Sequence, residues 1–355
     1  MKKFVFFALT TLCCCNILFA KIITVSNNPN SPGQYTRLDS AINAAVAGDI
    51  ILVTGSATDY NLTGSNGGSL TINKPITIYG QGYDPRNDQA LATTIGVVHL
   101  TAAGSGSILS GLSIGTFYAD DNTNNITITR CKISGFGYNY GGNGGHGING
   151  NNYNLRENII TGNIVITPNH AGIIIQNNII AGTISSPSTN TNILITNNYF
   201  TYLPITALSN ATVNNNIFYY KSGSATANAY VGASVGNCGF KDNIYYNSTN
   251  ANPLGIGVNG NSGSGNINGN PLFVNLDLTA VAVTRADNFN LQPSSPGVNA
   301  GTDGKNIGPE GGSLPIQYPY SGSPAIPQIQ SMSILNPVIP PNGTLNVSFK
   351  ASSNN

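Results

Sequence analysis

The sequence predicts an all-β chain wound as a parallel β-helix, a solenoid in which short strands of successive coils stack on one another. Three observations carry this reading. An apolar-x-apolar-x-x-Asn-x-apolar pattern recurs through the middle of the chain. Its copies return at a period of about 20 residues, the signature of a repeat architecture. The chain is also rich in Asn and contains 42 glycines, and both residues form helices poorly.

The clearest copies are Ile173, Ile175, Asn178, Ile180; then Ile193, Ile195, Asn198, Phe200; then Ala211, Val213, Asn216, Phe218. Looser copies start at Tyr153 and Cys238 and carry Asn158 and Asn243, and two earlier ones put Leu112 and Cys131 in the Asn position. The column thus falls at 112, 131, 158, 178, 198, 216 and 243, in steps of 19, 27, 20, 20, 18 and 27. Within a copy the apolar residues alternate, which is strand periodicity. The jump from i+2 to i+5 marks a two-residue bend between two strands. Each coil therefore reads strand, bend, strand, loop. Coils stacked in parallel bury an apolar side only because neighbours exist. Asn amides one rung apart can bond into a ladder that satisfies buried polar groups. A leucine-rich repeat is the nearest alternative, but its Leu-rich consensus is missing.

Taken from the N-terminus, residues 1–20 read as a bacterial-type export signal: Lys2 and Lys3, a short apolar run from Phe4 to Phe19, and Ala20 as a cleavage site. That run is short for a membrane span. Thr36–Ala47 reads as an amphipathic helix that covers the open end of the first coil, with Thr36 and Asp39 as a capping pair and Gly48 as the stop. A strand at Ile50–Val53 follows. The solenoid spans 21–312. Residues 313–327, rich in Pro, Ser and Tyr, read as a linker. A tail at 328–355 shows strand alternation in Met332–Ile334 and in Leu345, Val347 and Phe349. Two strands alone do not make a stable domain, so the tail is expected to dock on a partner that the sequence does not name.

Two stretches carry a family resemblance. Tyr35–Ala45 followed by Gly48–Val53 resembles the cap and first strand of pectate-lyase-like (pectin lyase fold) proteins. Asn270–Val274, Ser295–Asp303 and Ile307–Gly312 resemble the closing pattern of secreted right-handed parallel β-helix proteins of bacteria. The resemblance covers about residues 22–312 and implies a right-handed helix and a secreted or cell-surface location. It implies no single activity, since the superfamily includes lyases, hydrolases, epimerases and non-catalytic surface proteins.

Asp120-Asp121 and Gly145-His146-Gly147 resemble two polygalacturonase motifs in the expected order. That likeness implies an acid and base pair of carboxylates flanking water, assisted by His146. The family's Asn-Thr-Asp and Arg-x-Lys motifs are absent. A lyase would need calcium ligands and a basic proton acceptor; calcium enters only in that case, and otherwise no cofactor or metal is expected. The nearby bases are Arg130, Lys132 and Arg156, and the repeat alignment gives Arg130 a plainer role. Arg130 and Glu157 each precede the Asn column in consecutive coils, which predicts a surface ion pair. His99 and His170 stand isolated and read as surface or loop residues. Loops 115–125 and 134–152 leave the same corner of consecutive coils and should lie side by side. They bring together Tyr118, Tyr138 and Tyr140 as sugar-binding faces, with Asp120, Asp121 and His146.

Charged residues make up 8% of the chain and its net charge is +1. Such a surface offers nothing to nucleic acid or anionic lipid. No zinc spacing, nucleotide loop or serine triad motif occurs. The expectation is a secreted or cell-surface protein that engages polysaccharide. An enzyme acting on an acidic polysaccharide, as lyase or glycoside hydrolase, and a structural or adhesive surface protein stand as alternatives. Two further expectations follow from the coil count. Cys131 and Cys238, five rungs apart at about 4.8 Å each, should be free. The positions after the column, Ile159, Ile179, Tyr199, Ile217 and Ile244, form an apolar outer stripe that the chain after residue 270, or a partner, should cover.

Overall fold

The computed structural model describes residues 20–60, 68–84, 91–137, 147–201, 204–221, 229–280, 282–336 and 338–352. Residues 1–19, most of the segment expected to be an export signal, and Tyr138, Tyr140 and His146 lie outside the described residues. From Ile22 to Asn268 the chain is a parallel β-solenoid. Its two long sheets have 11 and 10 strands, each coil giving one strand to each sheet. The register is the one the repeat requires: Leu155 pairs with Ile128 on one side and Ile175 on the other, and the row continues through Ile195, Val213 and Phe240. All six side chains are fully buried.

A third sheet was not legible in the sequence. The return path, expected as loop, contains Ile164–Val165, Ile184–Ser185, Ile205–Ser209 and Val231–Gly236, which pair in parallel. Two of these strands have only two residues, too few for alternation to register. Correspondingly, residues 115–119 are not loop: the strand Ser113–Ala119 runs through them.

The bend between the two long sheets has a fixed chemistry. Its first residue is left-handed in coil after coil: Arg130, Glu157, Asn177, Asn197, Asn215 and Asp242 have φ between 51° and 57°. Asn and Asp tolerate that region, whereas Arg and Glu are strained there. Its second residue builds the ladder. Asn158, Asn178, Asn198, Asn216 and Asn243 each donate from Nδ2 to Oδ1 of the next coil at 2.9–3.1 Å, and Asn266 extends the row by one. Each Oδ1 also accepts the backbone N–H one coil back. These amides are buried without an orphaned atom, which matters because an unpaired buried polar group costs about 1–3 kcal/mol. Cys131 occupies one ladder position, and both Cys131 and Cys238 are free and buried.

The N-terminal helix is shorter than expected, Leu38–Ala44, and Arg37, not Thr36, is its N-cap. The Thr36–Asp39 capping pair does not form. Asp39 is taken instead by the Arg37 guanidinium and the Ser40 N–H. At the other end, Lys74 Nζ donates to the carbonyls of Ile42, Asn43 and Ala45, a cation on the terminal carbonyls. Leu38, Ala41 and Ile42 are buried against the first strands.

The outer stripe is covered as expected. Ile159, Ile179, Tyr199, Ile217 and Ile244 are all buried, in a second core completed by Phe273, Phe289, Ile307, Ile316 and Tyr320 of the returning chain. This chain is pinned by the left-handed corner residues, one coil at a time. Asn215 exchanges hydrogen bonds with Thr302, Asn197 donates to the carbonyls of Asn306 and Gly308, and Asn177 to those of Pro309 and Gly311. Further on, the Tyr83 N–H donates to the Ser321 carbonyl. Residues 302–323 thus form a strap running back along the corner toward the N-terminus. A buried ion pair, Lys221 Nζ to Asp287 Oδ2 at 2.6 Å, ties the cover to the solenoid. Beyond the strap, Gln328–Ile334 and Val347–Ser352 pair antiparallel, with Ile329, Met332 and Phe349 about two-thirds exposed (66%, 66% and 67%).

Candidate functional site

The corner expected from loops 115–125 and 134–152 is built from adjacent coils. Phe117 bridges Phe136, and Gly137 donates to the Phe117 carbonyl. On the far side the N–H groups of Thr123 and Asn125 donate to the carbonyls of Asn149 and Asn151. Of the six residues assigned to it by sequence, Tyr118, Asp120 and Asp121 are described.

Both histidines taken as isolated belong to this corner, which corrects that reading. His99 is on the strand Thr94–Leu100, directly paired with Tyr118 of Ser113–Ala119. Parallel register puts their side chains one rung apart on one face, and the rings stack at 4.4 Å with an 11° tilt. Asp120 follows that strand at once, and its Oδ1 lies 2.8 Å from His99 Nε2. Tyr118, His99 and Asp120 therefore form one unit: an aromatic ledge with a half-exposed carboxylate at its edge.

Asp121 faces the other way, into a polar network one coil on. Asn149 Nδ2 donates to Asp121 Oδ1 at 2.5 Å and to the Ala119 carbonyl. Thr167 Oγ1 donates to Asn149 Oδ1 at 2.6 Å, and His170 Nε2 lies 3.2 Å from the same oxygen and 2.8 Å from the threonine hydroxyl. Burial holds His170 below the usual imidazole range, while the Asp121 charge pulls the other way. The two aspartates thus sit on opposite sides of one turn. Each is held by a different histidine-bearing network.

Arg130 and Glu157 pair as expected, Nε to Oε2 at 2.6 Å. The pair is not at the surface, however. The side chains are 12% and 6% exposed, because the strap passes over them. No group of three or more His, Cys, Asp or Glu that could hold a metal occurs among the described residues, and no helix among them is long and apolar enough to cross a membrane. No known family model matches the chain. No curated protein is significantly similar to it.

Sequence reasoning missed His99, Asn149, Thr167 and His170. The signal for His99 was present: it lies one coil, 19 residues, before Tyr118. Asn149 and Thr167 belong to the third sheet's side of the coil, whose register the repeat did not reveal.

Proposed function

We propose that this chain is an exported, right-handed, pectate-lyase-like β-helix that engages polysaccharide at the Tyr118 corner. The observation that carries the reading is the His99–Tyr118 stack with Asp120 on its edge. Pyranose rings offer C–H faces that pack on aromatic rings, and hydroxyls that bond to carboxylates and amides. The ledge supplies both, on a strand rather than a mobile loop. The Lys2–Lys3 start and the apolar run up to Phe19 support export.

The test is a glycan array probed with the mature chain and with Tyr118→Ala. Binding to a defined polysaccharide class, weakened about tenfold or more in Tyr118→Ala, supports the proposal. No binding by the parent chain overturns it and leaves a structural or adhesive role. The Asp120–His99 contact favours one second reading, an acid–base enzyme. Release of new reducing ends or unsaturated products, abolished in Asp120→Asn, would establish that reading.

A further inference from the structure

A groove of about 390 Å³ opens between the strap and the solenoid at the Arg130–Glu157 pair. We infer that it is a second binding site, taking one or two rings of a neutral sugar. It is separate from the corner and does not depend on the function assigned there.

The reasoning starts from the corner column. In three coils that column is Asn, and Asn177, Asn197 and Asn215 reach the strap directly. In the two coils before them it is Glu157 and Arg130. These longer side chains pair with each other, and Arg130 Nη1 donates to the Ser323 carbonyl at 3.3 Å. There the strap stands off from the solenoid, and the gap is walled by Tyr83, Gln317, Tyr318 and Tyr320. The volume lies at the low end of the range for small-molecule sites, roughly 300–1,000 Å³.

The lining specifies the ligand class. Among the described lining residues only Arg130 and Glu157 are charged, and they neutralise each other. An anionic or cationic ligand finds no net partner, whereas a hydroxyl can meet both a guanidinium N–H and a carboxylate oxygen. Tyr318 is 40% exposed, and its ring is held edge-on to Tyr320 at 5.4 Å. It presents a pre-ordered aromatic surface to the groove. Gln317 adds an amide with donors and an acceptor. A neutral pyranose matches each of these features, and an acidic sugar does not.

Saturation-transfer NMR tests the assignment. The probes are methyl glycosides of glucose, galactose, mannose and N-acetylglucosamine, with methyl galacturonoside as the charged comparison. The proteins are the mature chain, Tyr318→Ala, Tyr318→Phe and Tyr118→Ala, each checked for an unchanged circular dichroism spectrum. At least one neutral glycoside should give transfer with the parent chain. Tyr318→Ala should weaken it about tenfold or more, while Tyr318→Phe and the corner variant Tyr118→Ala should keep it. Transfer to none of the neutral glycosides at millimolar concentration overturns the inference, as does transfer to the galacturonoside alone. Signals that persist in Tyr318→Ala but vanish in Tyr118→Ala belong to the corner and also overturn it.

Discussion

Asn198 accepts two hydrogen bonds from Asn178, one from its backbone N–H and one from Nδ2, each at 3.0 Å. Asn198→Ala strands the Asn178 backbone N–H in a dry interior, while Asn178 Nδ2 keeps the Leu155 and Gln176 carbonyls. One orphaned donor should cost the variant about 1–3 kcal/mol. A urea titration should show a midpoint well below the parent's; an unchanged midpoint would mean that water replaces the amide. The thiols give a second residue-scale test. Burial pushes the Cys131 thiol up to about 12, so a native chain lacking residues 1–20 should resist a thiol reagent at neutral pH, and the denatured chain should yield two thiols without reductant. The ladder and the free cysteines were both legible in the sequence, because each depends only on counting coils. The left-handed strain at Arg130 and Glu157 was not legible: neither residue type advertises a positive φ, and only their place in the column reveals it.

At the scale of elements, the strap carries a titratable lock. Burial raises the Glu310 carboxyl from 4.5 to about 7, and Tyr320, whose hydroxyl donates to it, sits in the core under the strap. The folded pKa is above the unfolded one, so the folded state holds the extra proton. Stability is therefore fullest below about pH 4.5, falls as the pH rises toward 7, and is flat above. The span corresponds to at most about 3 kcal/mol. Urea midpoints of the parent should fall across that window, and Glu310→Gln, neutral at every pH, should remove that component of the slope. A slope of equal size in the variant would assign the effect elsewhere. Composition alone made residues 313–327 look like plain linker, since Pro, Ser and Tyr say nothing of what they touch. In the fold, Ile316 and Tyr320 are buried. The same gap explains the Arg130–Glu157 pair, where sequence supplied the partners but not the strap above them.

The whole molecule is a stack whose second sheet would be too apolar to stand in water. Five large side chains from five coils, Ile159 to Ile244, point outward and meet Phe273, Phe289, Ile307, Ile316 and Tyr320. The stripe was visible from the repeat register, and so was the need to cover it. The manner of covering was not, because contacts such as Asn177 to Pro309 and Gly311 span more than 130 residues and no local pattern encodes them. Lys221 shows how closely the two parts depend on each other. Its ammonium is fully buried and is met by the Asp287 carboxylate and the Ala282 carbonyl, both on the returning chain. Removing that chain would expose the stripe and take away both partners of the Lys221 ammonium. A chain ending at residue 268 should therefore aggregate or bind a hydrophobic dye strongly. Asp287→Asn in the full chain should cost several kcal/mol, with Lys221→Met partly rescuing it. By contrast, a chain ending at residue 327 keeps the cover and the strap and loses the hairpin that exposes Ile329, Met332 and Phe349. It should keep the parent's oligomeric state by light scattering and melt within a few degrees of the parent. If it unfolds instead, the hairpin is part of the solenoid's stability; if the shorter chain stays soluble, the cover is dispensable and the second core is not what holds the coils together.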